Sequence, residues 1–145
     1  MSTEGMPTIV PMLSYENVEA AIDWLARAFG FQEATDERYT EPYGRISHAE
    51  IRLGGGVVML GHPSDQYEGP RRHAESCEPA RRWREPGYVV DGVHALVEDV
   101  GEHFRRAKEA GATILSEPED QPYGERVYRV EDLDGHRWMF AQIID

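Results

Sequence analysis

Apolar residues recur at helical and at alternating spacings along the chain, and the first half shows them in a definite order. A short apolar segment at Thr8–Ser14 is followed by helical spacing that begins after Asn17, a residue typical of a helix N-cap, and ends at Gly30. Strand-like segments follow at Ile46–Leu53 and Val57–Leu60, joined by a glycine turn. With one further strand after the helix, this order predicts a βαβββ module.

The second half repeats the order. An apolar strand at Gly92–Val97 precedes Asp99 as a helix cap, and the helical spacing that follows ends at Gly111. The remaining apolar segments predict three strands, at Thr113–Leu115, Val127–Glu131 and His136–Gln142. The pattern therefore predicts the same module twice.

A sequence repeat supports this duplication. Pro42-Tyr43-Gly44 returns as Pro122-Tyr123-Gly124, displaced by 80 positions (122 − 42). Met59 and Met139 are separated by the same offset. Because a repeated unit buries one face against a copy of itself, the repeat predicts an architecture more firmly than it predicts a function.

We predict a single domain over residues 1–145, made of modules at about 7–61 and 88–143 and a polar connection at 62–87. The connection carries a basic island, which we define as Arg71, Arg72, His73, Arg81, Arg82 and Arg84 with Trp83 among them. Two interpretations of this segment stay open: a solvated short helix with a loop, and a lid over a cavity.

Charge and cysteine content narrow the choice of partners. The formal net charge of −12 predicts no binding to nucleic acid and offers no basic stripe to an anionic membrane surface. We expect a neutral or cationic partner, although an acidic surface also serves solubility alone. Cys77 is the single cysteine in the sequence, so an internal disulfide and a thiolate zinc cluster are both excluded. With no recognisable targeting signal, this composition favours a cytoplasmic protein.

Several longer motifs resemble a known family. They are Glu19 to Leu25 with Ala28-Phe29-Gly30, His48 to Gly54, Gln121 to Gly124, and Asp132 to Trp138. In these motifs the chain resembles the glyoxalase/bleomycin resistance protein/dioxygenase proteins of the vicinal oxygen chelate (VOC) superfamily, and in particular a glyoxalase-like subgroup of unknown substrate. The resemblance implies an α+β fold in which two βαβββ modules form a curved eight-stranded mixed sheet around a ligand cavity, with helices on the convex face. It also implies a homodimer.

The metal-using enzymes of that family take their ligands from the first and last strands of each module. The corresponding residues here are Val10, Gly92, Met59 and Met139. None offers the imidazole or carboxylate donor that zinc, nickel, manganese or iron needs. We therefore expect no usual divalent metal and no cofactor. The two methionines suit a soft apolar floor under a bulky organic ligand, or ordinary core packing.

Polar and apolar side chains alternate within His48–Leu53. His48, Glu50 and Arg52 are expected on one face of this strand, with the small and apolar residues turned towards the helix. The polar row faces the cavity, or solvent if the strand lies at an edge. The repeat offset of 80 predicts that Tyr128 shares the face of His48.

In the second module, His94 follows Gly92 by two residues and Arg137 precedes Met139 by two, which predicts a shared face. Glu50 and His94 are the candidate catalytic residues, as an acid–base pair acting on an acidic carbon–hydrogen bond. The predicted ligand-binding residues are His48, Arg52, Met59, Tyr128, Arg137 and Met139. A displaced metal site of His94, Glu50 and His48, and solvated strand residues without a role, stay open as alternatives.

Three functions follow from these observations. The one we predict is a protein that binds a small organic molecule, cationic or aromatic, in the cavity between the modules without the usual metal. The alternative is a lyase, isomerase or dioxygenase that uses a displaced metal or the Glu50 and His94 pair. A module that has lost its ligand and serves interactions alone is the third.

Overall fold

The computed structural model describes residues 6–87 and 91–145. The described chain divides after Glu68 into two compact units, which we call the first unit and the second unit. Each unit contains a mixed sheet and helices, so the α+β class is confirmed. The division falls inside the connection at 62–87, and the module boundaries given above stay predictions.

The first unit is built on a sheet with one long helix. Its elements are β1 Met12–Ser14, α1 Val18–Phe29, β2 Gln32–Glu33, a one-turn 3-10 helix at Thr35–Glu37, β3 Tyr39–Thr40, β4 Ile46–Leu53 and β5 Gly56–Gly61. The strand order is β1-β5-β4-β2, and β3 also pairs with β4. Strand β1 runs parallel to β5, whereas the neighbours of β4 are all antiparallel to it.

The second unit contains a similar sheet and three helices in its described residues. Its elements are α2 Pro70–Ser76, α3 Glu78–Arg84, β6 Gly92–Leu96, α4 Val100–Glu109, β7 Thr113–Asp120, β8 Glu125–Glu131 and β9 Arg137–Ile143. The strand order is β6-β9-β8-β7, with β6 parallel to β9. The strands thus form two sheets, one in each unit, where the resemblance implied one sheet of eight strands.

Both long helices begin where the sequence predicted; α1 also ends there, whereas α4 ends at Glu109, two residues before Gly111. The side chain of Asn17 accepts a hydrogen bond from the Ala20 amide at 3.0 Å, and Asp99 does the same for Glu102 at 3.1 Å. These caps satisfy amides that the first turn of a helix leaves without partners. Gly30 ends α1 with φ of 84°, a left-handed conformation that suits glycine.

The Pro-Tyr-Gly repeat forms the same turn in both units. In the first unit the Glu41 amide donates to the Arg45 carbonyl at 2.7 Å. In the second unit the Gln121 amide donates to the Glu125 carbonyl at the same distance of 2.7 Å. The final glycine of each turn has a positive φ, of 95° and 87°. The sequence repeat is therefore also a structural repeat.

Each sheet buries one face beneath its own helix. Helix α1 packs on β4 and buries Leu25 and Phe29 completely. Helix α4 packs on β7, β8 and β9, where Trp138 and Phe140 are also completely buried. The two rings stack with centroids 5.9 Å apart, so both are core residues, as the strand alternation predicted.

Candidate functional site

The first unit carries a row of polar side chains on β4. Ala49 and Ile51 are buried, and His48, Glu50 and Arg52 alternate with them along the strand, as the sequence predicted. Because facing residues of paired strands share a face, Glu50 lies beside its register partner Met59 on β5. This row and Met59 form the face that we call the Glu50 face.

Glu50 has an unusual environment for a carboxylate. Its relative exposure is 0%, and neither carboxylate oxygen has a hydrogen-bond partner among the described residues. The guanidinium of Arg52 lies 3.8 Å from Oε1, too far for a hydrogen bond, and the Arg52 side chain is 42% exposed. Since buried polar groups in folded proteins are nearly always hydrogen-bonded, this carboxylate marks the face as a candidate binding surface.

His48 adds a second buried polar atom to the Glu50 face. Its Nε2 atom has no hydrogen-bond partner among the described residues. The register partner of His48 on β5 is Gly61, which has no side chain to cover the ring. A Cβ atom added to Gly61 would lie 3.7 Å from the carbonyl oxygen of Ser47, an ordinary van der Waals contact, so the position could hold a side chain without a clash.

The corresponding face of the second unit contains His94, Met139 and Arg129, which are register partners across β6, β9 and β8. His94 and Met139 therefore share a face, as predicted. The Nε2 atom of His94 lies 3.1 Å from Oε1 of Glu125. Glu50 and His94 belong to different units, and their action as an acid–base pair stays a prediction.

Tyr128 lies on the opposite face from the one predicted. It is completely buried, donates or accepts a hydrogen bond at 2.6 Å to Nδ1 of His103 on α4, and contacts the ring of Phe104 edge-on. Burial raises the pKa of the Tyr128 phenol. The face predicted for Tyr128 was therefore wrong, and its ring lies in the core beneath α4.

A one-residue change in the repeat offset within β8 explains this error. Met59 follows its register partner Glu50 by nine residues (59 − 50), whereas Met139 follows its partner Arg129 by ten (139 − 129). The repeat offset is therefore 79 in β8, although it is 80 in β9. A shift of one residue in a strand moves a side chain to the other face. The counterpart of Glu50 is thus Arg129, which sequence reasoning missed.

Arg137, predicted to contact a ligand, has a structural position in the second unit. Its side chain is 9% exposed, and Nε donates to Oε2 of Glu131 at 2.9 Å. Its other two nitrogens donate to the backbone carbonyls of Pro86 and Arg84, both at 2.6 Å. These bonds hold the residues that follow α3 against the sheet.

Two arginines of the basic island meet the same carboxylate. Arg71 donates to Glu131 at 3.1 Å and to the carbonyl of Asp132 at 2.8 Å. Arg84 lies 2.8 Å from Glu131 and donates to the carbonyl of Gly135 at 2.9 Å. Burial lowers the pKa of the Arg84 guanidinium, and the Glu131 charge opposes that effect. We call Glu131 and these arginines, with Arg137, the Glu131 cluster.

The motif from Asp132 to Trp138, which carries part of the family resemblance, forms a tight turn between β8 and β9. The Asp132 carboxylate is 1% exposed and accepts from the backbone amides of Asp134, Gly135 and His136 at 3.0 to 3.1 Å. Its other oxygen accepts from the Trp138 indole at 3.0 Å. This motif therefore maintains the fold of the second unit.

A concavity of about 500 Å³ opens beside the Glu131 cluster. Its lining includes Trp83, which is 67% exposed, together with Asp91 and His136. Its volume lies in the range of small-molecule sites. It is a second location in which a ligand can be sought.

Residues 6–87 and 91–145 lack two features. No three His, Cys, Asp or Glu side chains in these ranges are placed to hold a metal ion, which the alternative of a displaced metal site would require. Among the helices of the same ranges, none has the length and apolar character needed to cross a bilayer.

Comparison with known proteins agrees with these features. The sequence model of the glyoxalase/bleomycin resistance protein/dioxygenase superfamily matches residues 9–140. The chain belongs to this superfamily. An uncharacterised relative from Mycobacterium bovis is 34% identical over 142 residues, which cover 98% of this chain and 87% of the relative.

Solved structures of the superfamily share the fold. TioX from Micromonospora sp. ML1 is 36% identical, with a TM-score of 0.66 over 94% of this chain and 95% of TioX. TnmS3, an antibiotic binding protein from Streptomyces sp. CB03234, is 20% identical, with a TM-score of 0.58 over 94% of this chain and 97% of TnmS3. The likeness to TnmS3 concerns the fold alone.

Proposed function

We propose that this superfamily member binds a small organic molecule on the Glu50 face. The observation that carries the proposal is the Glu50 carboxylate, which is completely buried without a hydrogen-bond partner among the described residues. Leaving such a group unsatisfied destabilises a protein by roughly 1 to 3 kcal/mol, and by more for a charge. A ligand that donates hydrogen bonds to Glu50 would offset this cost.

The neighbours of Glu50 suit an organic ligand. Met59 lies beside it in register, and Met12 pairs with Met59 on the next strand. Thioether side chains are flexible and polarisable, and they adapt to apolar surfaces of varied shape. His48 supplies a further polar atom on the same face. Together these residues offer apolar contact with a few placed polar groups, the usual make-up of a small-molecule site.

We propose that binding proceeds without the family's usual divalent metal. The four residues at the ligand positions of the metal-using enzymes are Val10, Met59, Gly92 and Met139, none of which supplies an oxygen or nitrogen side-chain donor. The antibiotic-binding relative TnmS3 supports a binding role by analogy of fold. Because one fold hosts many functions, Glu50 carries the proposal and the shared fold does not.

An enzymatic role is the second candidate, and one contact favours it. His94 Nε2 lies 3.1 Å from Oε1 of Glu125, so a carboxylate lies beside the imidazole, although the two atoms do not have the geometry of a hydrogen bond. Under this alternative Glu50 and His94 act in a lyase, isomerase or dioxygenase. The test is turnover of a bound compound that His94→Ala abolishes while affinity is unchanged.

A homodimer in the cytoplasm stays part of the proposal. The sequence has one cysteine, Cys77, which suits a reducing compartment. Multi-angle light scattering gives the molar mass in solution, and a value equal to one 16.5 kDa chain would contradict the dimer.

A ligand screen by thermal shift tests the binding function. Wild type, Glu50→Gln and the control Glu117→Gln, whose glutamate is exposed on β7, are screened against cationic, neutral and aromatic compounds. A specific ligand at 100 times its Kd stabilises the native state by about 2.7 kcal/mol. We expect compounds that stabilise wild type and Glu117→Gln but not Glu50→Gln.

Trp83→Ala distinguishes the Glu50 face from the concavity beside the Glu131 cluster. If a compound's stabilisation is lost in Trp83→Ala and kept in Glu50→Gln, the ligand lies beside the Glu131 cluster and the proposed site is wrong. If no compound stabilises the wild type, the binding function itself is contradicted.

A further inference from the structure

We infer that the ligand carries a protonated nitrogen with N–H groups, such as a primary ammonium, which forms an ion pair with Glu50. This inference rests on the proposed function and names the chemical class of its ligand. Both oxygens of Glu50 lack hydrogen-bond partners among the described residues. An ionised carboxylate accepts hydrogen bonds and donates none, so its complement is a donor.

The ligand group that binds Glu50 also needs a positive charge. Glu50 has 0% relative exposure, and a buried charge is stable only when it is paired and hydrogen-bonded. Charge-assisted hydrogen bonds from a cation are shorter and stronger than those between neutral groups. An ammonium ion supplies both the charge and up to three donors. A neutral hydroxyl or amide supplies donors alone.

Arg52 does not fill this role. Its Nη2 lies 3.8 Å from Oε1 of Glu50 and also 3.8 Å from the sulfur of Met6. The side chain is 42% exposed, so solvent weakens its attraction to the carboxylate. Without a hydrogen bond from Arg52, both oxygens of Glu50 keep an acceptor capacity that no described residue uses.

His48 indicates a second polar group on the ligand. It lies two residues from Glu50 on the same face, which corresponds to about 7 Å along a strand. Its buried Nε2 has no hydrogen-bond partner among the described residues, and its register partner Gly61 places no side chain beside the ring. A ligand that reaches both groups has a polar atom roughly 7 Å from its ammonium. Its apolar part contacts Met59.

The charge of the whole chain favours the same class. A net charge of −12 creates a negative potential that attracts cations and raises their local concentration. This potential attracts every cation, so it does not explain why a cation would bind at one specific site. Selectivity comes from Glu50, and the test must separate the two effects.

Matched pairs of compounds make that separation. Dansylcadaverine, tryptamine and 1-naphthylmethylamine are primary alkylamines that carry an aromatic ring, and their N-acetyl derivatives keep the ring but lose the charge of the ammonium group. Their N,N,N-trimethyl derivatives keep the charge but lose the N–H donors. Each is titrated by calorimetry into wild type, Glu50→Gln and Glu117→Gln, two variants with the same change in net charge.

We expect at least one amine to bind wild type and Glu117→Gln, with tenfold or greater loss of affinity on acetylation and on trimethylation. Glu50→Gln should reduce the differences within each set to less than threefold. An N-acetyl derivative that binds wild type as tightly as its amine would show that binding needs no positive charge, which would overturn the inference. A trimethyl derivative that binds wild type as tightly as its amine would show that binding needs no N–H donor, which would also overturn the inference.

Failure of this inference is distinguishable from failure of the proposed function. If no amine binds but a neutral compound from the thermal-shift screen binds in a Glu50-dependent manner, the ammonium is wrong and the binding function stands. If neither the amines nor any screened compound binds, both are wrong. Equal loss of amine binding in Glu50→Gln and Glu117→Gln assigns the effect to net charge and overturns the inference.

Discussion

Replacement of Glu50 by methionine is expected to stabilise the free protein. Taking a carboxylate out of water costs several kcal/mol, and Glu50 recovers no hydrogen bond among the described residues. The contact with Arg52 at 3.8 Å offsets less than about 1 kcal/mol, because that side chain is 42% exposed. Methionine has a similar length and would pack beside Met59. We expect Glu50→Met to raise the free energy of unfolding by about 1 to 3 kcal/mol.

Urea unfolding followed by tryptophan fluorescence measures this change. For a chain of 145 residues, 1 kcal/mol corresponds to a rise in Tm of roughly 3 to 4 °C. The matched control is Glu117→Met at an exposed position, where we expect a change within about 0.5 kcal/mol. A loss of 1 kcal/mol or more in Glu50→Met would refute the reasoning, because it would mean that the carboxylate already has a stabilising partner.

The same substitution should remove ligand binding, since methionine neither accepts the ligand's hydrogen bonds nor carries a negative charge. Stability and binding are then expected to change in opposite directions. Such opposition is common where a functional site retains a group that destabilises the free fold. A variant that gains stability and keeps full affinity would show that Glu50 does not contact the ligand.

Three further predictions concern the second unit. Glu131→Ala should lower the free energy of unfolding, measured in urea, by about 3 to 5 kcal/mol, because it leaves buried guanidinium groups without their carboxylate. A loss below about 1 kcal/mol would contradict this prediction. Gly135 and Gly111 both have a φ near 93°, which alanine rarely adopts. Replacement of either glycine by alanine should therefore lower the free energy of unfolding by roughly 1 to 3 kcal/mol. The Gly135 variant should lose more stability, because its new Cβ would lie 2.8 Å from Arg71. At Gly111 nothing lies within 4 Å of the new Cβ. Equal losses of stability in the two variants would contradict the contact with Arg71. The raised pKa of Tyr128 means that stability is fully present below the unfolded phenol pKa of about 10 and falls as pH rises above it. Tyr128→Phe should lower stability by about 1 kcal/mol at pH 8 and flatten this alkaline decline, and an unchanged decline would contradict the assignment.

Local signals predicted much of the fold. Asn17 and Asp99 cap the two long helices because their side chains bond amides within the same first turn, which sequence spacing reveals. The alternation along β4 placed His48, Glu50 and Arg52 on one face for the same reason. The depth of burial of Glu50 was not predictable, since it depends on what covers the face.

The features that the sequence did not predict depend on contacts between residues that are distant in sequence. Arg71 meets Glu131 across 60 positions, and no local pattern pairs one arginine of the basic island with that carboxylate. The face of Tyr128 depended on a one-residue change in the repeat offset within β8, which the constant offset of 80 in the turns and in β9 conceals. Both features follow from tertiary packing, which overrides local spacing.

The most direct test of the account is a calorimetric titration of the tightest compound from the thermal-shift screen into wild type and Glu50→Gln. We predict saturable binding of one molecule per chain to wild type and at least tenfold weaker binding to Glu50→Gln, a difference of about 1.4 kcal/mol or more. Equal affinity for the two proteins would contradict the proposal that the buried carboxylate of Glu50 holds the ligand.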